Sequence, residues 1–110
     1  MTDGTPQTGE QRTAMLALGR KLSHVKGMAM LADMQQVVSA VHSLEERCRS
    51  WASPGGHVEA TGLERMRIQL GGFLAALTHA EMDPNDQAEL GRLLLECEAL
   101  VARLKPGHLE

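Results

Sequence analysis

The chain has 110 residues, 43% of them apolar and 23% charged, with a formal net charge of -3. That length suits one domain with a single core, and the charge gives no electrostatic footprint for DNA or RNA. Trp51 and Phe73 are the only aromatic side chains, which argues against an aromatic-rich β-sandwich and against nucleic-acid binding by stacking.

Residues 1–10 are polar and read as a disordered tail, with a second short tail at 106–110. From about Gln11 to Ala32 the apolar positions Met15, Leu18, Leu22, Val25, Ala29 and Ala32 recur at helical spacing. Asp33 is placed to cap a second helix, in which Val37, Val41, Leu44, Cys48 and Trp51 repeat at three and four. Ser53-Pro54-Gly55-Gly56 then breaks the chain. A third helix is expected over about His57 to Ala80 on Leu63, Met66, Leu70, Phe73, Leu74 and Leu77, with Gly71-Gly72 suggesting close helix packing. Asp83-Pro84-Asn85-Asp86 signals the start of a fourth: a cap, proline at the first helical position, then an acid. Leu90, Leu93, Leu94, Cys97, Leu100, Val101 and Leu104 mark its buried face, up to Pro106-Gly107. No strand-like alternation competes, so the expected fold is all-α, an antiparallel up-down four-helix bundle over 11–105.

Leu22-Ser23-His24-Val25-Lys26-Gly27 lies inside the first helical pattern. A glycine in a helix interior costs about 1 kcal/mol relative to alanine, so its presence invites a reason beyond stability. The apolar stripe leaves Ser23, His24 and Gly27 on the outer side, with Lys26 at its flank. Ser23 is three residues from Lys26 and four from Gly27, which makes these three one patch, and His24 lies about a quarter-turn further round. A neutral imidazole is a competent phosphoryl acceptor, and a nearby ammonium offsets the charge of the incoming group. Gly27 would let a partner's active site close over the acceptor. Met28 and Met30 follow, and methionine suits adaptable protein-binding surfaces.

The run from Leu22 to Met34 resembles the phospho-accepting helix of bacterial histidine phosphotransfer (HPt) domains, above all those of chemotaxis and twitching-motility kinases. Their pattern reads apolar-His-x-apolar-Lys-Gly-x-Ala, with a Leu-Glu pair late in the next helix. Leu22, Val25, Lys26, Gly27 and Ala29 match in place, and His42-Ser43-Leu44-Glu45 resembles the later segment. The likeness covers about residues 12 to 48; the last two helices match only as bundle helices. It implies a phosphocarrier or docking module with no catalytic site of its own, whose partner is a receiver domain or a histidine kinase. It also implies His24 as candidate phosphoacceptor, Lys26 as phosphate-stabilising, and Ser23, Gly27, Met28 and Met30 as docking surface. One departure stands: Ser23 occupies the family's histidine position, and the histidine comes one residue later. Either His24 accepts from a shifted position, or the site is degenerate and docks without transfer.

Other classes have less support. Five histidines, two cysteines and seven methionines could furnish a metal site, but no His-x-x-x-His, Cys-x-x-Cys or Glu-x-x-His spacing is present, so neither metal nor other cofactor is expected. Cys48 and Cys97 fall on apolar stripes and read as buried free thiols. No apolar run reaches the roughly 18 residues of a membrane span, and Met1 to Gln11 has no signal-peptide core, so the expected location is cytoplasmic and away from membranes. A helical adaptor or regulatory protein without phosphoryl chemistry is the alternative function.

Overall fold

The computed structural model describes residues 9–56 and 58–104. They form α1 (Gly9–Leu31), α2 (Gln35–Ala52), α3 (Ala60–Leu77) and α4 (Pro84–Arg103). The helices make an all-α up-down bundle about 50 Å long. Adjacent helices run antiparallel, as their short connections require. Helix α1 packs against α2 and α4, and α4 packs against α3, while α2 and α3 share the least extensive contact.

The apolar stripes read from the sequence form the core. Met15, Leu18, Leu22, Val25 and Ala29 of α1 are buried, as are Val37, Val41, Leu44, Cys48 and Trp51 of α2. Every expected apolar position of the fourth helix is buried as well, from Leu90 to Leu104. Phe73 and Leu74 of α3 are only half-buried and lie against the edge of this core. Both thiols are buried and unpaired, and desolvation pushes each up to about 12.

The connections correct several expectations. Asp33 does not cap α2; it adopts the left-handed region, with φ of 61°. Met34 N–H bonds to Ala29 O at 2.8 Å and Asp33 N–H to Met30 O at 3.1 Å. That pair of bonds is the Schellman ending of α1, with Asp33 in the position usually held by glycine. Ser53-Pro54-Gly55-Gly56 closes as a turn through Gly56 N–H to Ser53 O at 2.9 Å, and Gly55 takes φ of +82°. Proline followed by a positive-φ glycine is the signature of a type II turn. Helix α3 is shorter than expected because Glu59 is extended at its start. Beyond Leu77, the amides of Thr78, His79 and Ala80 bond three residues back, so the helix tightens and stops. Asp83 does cap α4, accepting from Asn85 N–H at 2.8 Å, with Pro84 opening the helix.

Gly71 and Gly72 do not mark close packing. A Cβ at Gly72 would meet nothing within 4 Å, and one at Gly71 only Glu98 Oε2 at an ordinary 3.7 Å. Among the glycines within helices the tight approach is at Gly62, where a Cβ would stand 2.6 Å from the Trp51 ring. Gly9 and Glu10, expected in the tail, already belong to α1. The rest of the expected tails, and His57, lie outside the described residues.

Candidate functional site

Glu45 organises the site. It sits one turn beyond Val41 and between Leu44 and Cys48, on the apolar stripe of α2, and is only 7% exposed. A carboxylate there must find donors, since a buried unpaired charge is strongly unfavourable. Helix α1 supplies two: Ser23 Oγ donates to Glu45 Oε2, and Lys26 Nζ donates to Glu45 Oε1 at 2.6 Å. Ser23 and Lys26 are three residues apart, so one face of α1 carries both to α2. Burial pushes the Glu45 carboxyl up. The hydrogen bonds from Lys26 and Ser23, with the charges of Lys26 and His42, outweigh it and hold the group below its ordinary range. His42 lies at the rim, with Nδ1 3.8 Å from Glu45 Oε1 and Nε2 3.4 Å from Glu46 Oε2.

On the opposite flank of α1, Lys21 Nζ pairs with Glu96 Oε1 of α4 at 2.7 Å. The helix is thus tied on both sides, leaving an outward strip of Leu16, Arg20, Ser23, His24, Gly27, Met30 and Leu31, all exposed. A Cβ on Gly27 would meet nothing within 4 Å, so no intramolecular packing calls for glycine there. Met30 is 58% and Leu31 92% exposed, whereas Met28 is half-buried against the core.

The structure brings Ser23 and Lys26 together but does not bring Lys26 to His24. Two residues apart on a continuous α-helix, their side chains leave about 200° from one another. Helical spacing puts two cations beside His24, Arg20 four residues earlier on the same strip and Lys21 three residues earlier, and Lys21 is already paired with Glu96. Among the described residues His24 has no hydrogen-bond or ion-pair partner. In the sequence Glu45 stands only as part of the segment His42-Ser43-Leu44-Glu45 that resembles the HPt pattern, with no role of its own. The available signal was a glutamate interrupting the Val41–Leu44–Cys48 stripe.

Among the described residues no group of three or more His, Cys, Asp or Glu side chains is arranged to hold a metal ion. No described helix is long and apolar enough to cross a membrane. Comparison with known protein families, curated proteins and solved structures gives no match to this chain.

Proposed function

We propose that this chain is an HPt-like docking module that presents the outer strip of α1 to a receiver domain or histidine kinase in a bacterial phosphorelay. The observation that carries the reading is the arrangement around Glu45. Ser23 and Lys26, which the family's pattern would put at the phosphoacceptor and its stabilising cation, are joined through a buried carboxylate. That joint fixes the register of α1 on α2 and holds the outer strip still. Exposed Met30 and Leu31 offer apolar contact area, and Gly27 lets a partner approach the backbone. In this role the module is a cytoplasmic docking partner and catalyses nothing by itself.

A second reading is favoured by the exposure of His24 and its freedom from partners among the described residues. In it, an imidazole nitrogen attacks the acyl phosphate of a receiver aspartate, forming the N–P bond as the P–O bond to the aspartyl carboxylate breaks. Arg20, not Lys26, is then the neighbouring cation without an ion pair among the described residues.

Binding of phosphorylated and unphosphorylated receiver domains by calorimetry, with labelling of the intact chain, separates the two. Docking predicts binding that Gly27→Arg abolishes and His24→Ala preserves, without label. Transfer predicts acid-labile label that His24→Ala removes. If neither receiver nor kinase engages the chain, an adaptor without phosphoryl chemistry is the better description.

A further inference from the structure

Two surface recesses toward different ends of the bundle carry opposite charge. Toward the start of α1 and the end of α2, a groove of about 460 Å³ is bordered by Arg12, Arg20 and Arg49, with Leu16, Gly19 and Pro54 among its apolar and small lining residues; its one carboxylate, Glu45, is already held by Ser23 and Lys26. Leu16 is 48% exposed, and a Cβ on Gly19 would meet nothing within 4 Å, so the groove is open and shallow at that point. Arg12 and Arg20 have no ion-pair partner among the described residues, and Arg49 reaches Glu46 only at 3.9 Å. Several basic side chains elsewhere are held closely, Lys21 and Arg92 by Glu96, Lys26 by Glu45 and Arg67 by Glu64. Arg65 and Arg103 also stand without an ion pair among the described residues but do not border the groove.

The other end of the bundle has the complementary character. Where the end of α1 meets the start of α4, Leu31 and Met82 lie among Asp33, Glu81, Asp83 and Asp86, around a recess of about 340 Å³. Leu31, at 92% exposure, projects from that end as an apolar knob rimmed by carboxylates. From Arg12 to Leu31 along α1 is roughly 28 Å at 1.5 Å per residue. One molecule therefore cannot close its own acidic end onto its own basic groove.

We propose that a second copy of this chain fills the groove, its acidic Leu31 end seated against Arg12, Arg20 and Arg49 of the first. The contact is head-to-tail, so it uses two different surfaces of each copy and can be repeated from copy to copy. Apolar area around Leu31 and Leu16 supplies attraction, while guanidinium–carboxylate pairing sets the register and excludes groove-to-groove pairing. The inference does not depend on receiver docking.

Sedimentation velocity on the full chain tests it, over protein concentrations from about 10 µM to 1 mM and at low and high salt. The weight-average mass is expected to rise with concentration at low salt and to fall toward the monomer near 0.5 M salt, where the screening length is about 4 Å. Two charge-reversed chains sharpen the result: Arg12→Glu with Arg49→Glu at the groove, and Glu81→Arg with Asp86→Arg at the acidic end. All four positions are exposed, and circular dichroism checks that each chain folds. Alone, each is expected to associate at least about tenfold more weakly. Mixed in equal amounts, they recover association, because the first keeps its acidic end and the second its basic groove. A monomeric wild type across the whole range overturns the proposal, with the groove then left for an acidic segment of another protein. Association that survives either reversal, or a mixture that stays monomeric, overturns it too.

Discussion

Lys26 Nζ lies 2.6 Å from Glu45 Oε1, on the flank of α1 that faces α2. The lysine expected from the sequence to stabilise a phosphoryl group is thus engaged across a helix interface. The Lys26 side chain, 29% exposed, covers a carboxylate with little access to water. Ser23 completes the arrangement from the same helix.

Glu45→Gln tests how much this joint contributes. The folded carboxyl is held below its ordinary value of 4.5, so the unfolded chain takes up protons first as pH falls. Its stabilising contribution is therefore complete above about pH 5 and is lost as pH drops through the folded value. At pH 7 the variant is expected to unfold with about 2 kcal/mol less free energy than wild type. Well below the ordinary value of 4.5 the difference should narrow, because the wild-type carboxylate is increasingly protonated as pH falls through the folded value. Urea titrations at pH 7 and through the falling pH range measure this. A gap that is constant with pH would show that the carboxylate's charge is not the source of the stability.

Gly27→Ala separates stability from docking. Position 27 is helical and exposed, with no atom close enough to hinder a methyl group. Alanine should therefore stabilise the fold by about 0.5 to 1 kcal/mol, read as a higher midpoint in thermal or urea unfolding. If the glycine serves close approach by a partner, receiver binding should weaken in the same variant. Greater stability with unchanged binding would remove Gly27 from the docking surface.

The bundle was legible because its stripes are long and regular: Val37 to Trp51 and Leu90 to Leu104 repeat at three and four without competition from another period. What the stripes could not convey were the pairings between helices. Exposure of Ser23, His24 and Gly27 follows from one helix's periodicity, but the partner of Lys26 depends on the rotation of α2 against α1, which no single helix encodes. The glycines show the same limit. Gly71-Gly72 had the look of a packing notch and borders open space, whereas Gly62 is the position against which Trp51 lies.

Asp33 offers a direct test of the corrected α1–α2 connection. As a side-chain cap it would be replaceable by serine, a good capping residue. In the left-handed region found here, with φ of 61°, serine has a conformational penalty that glycine avoids. Asp33→Ser is therefore expected to destabilise by about 0.5 to 1 kcal/mol, while Asp33→Gly is neutral or stabilising. Reversal of that order in urea unfolding would restore the capping role.

Gly62→Ala should do the opposite of Gly27→Ala, although both are glycines within helices. A methyl group at 62 would stand 2.6 Å from Trp51 Cζ2 and 3.0 Å from Arg47 Nη1. The indole is buried at 5% exposure and cannot simply swing into water. Overpacking of this kind costs about 1 to 3 kcal/mol, enough to exceed the gain of about 1 kcal/mol in helix propensity. Because α2 and α3 share the least extensive contact in the bundle, the displacement should open that seam. Trp51 is the only tryptophan, so its emission reports the seam directly. The expected result is a lower urea midpoint with a red-shifted folded-state spectrum. A higher midpoint with unchanged emission would mean that the ring has room to yield and that glycine is not required there.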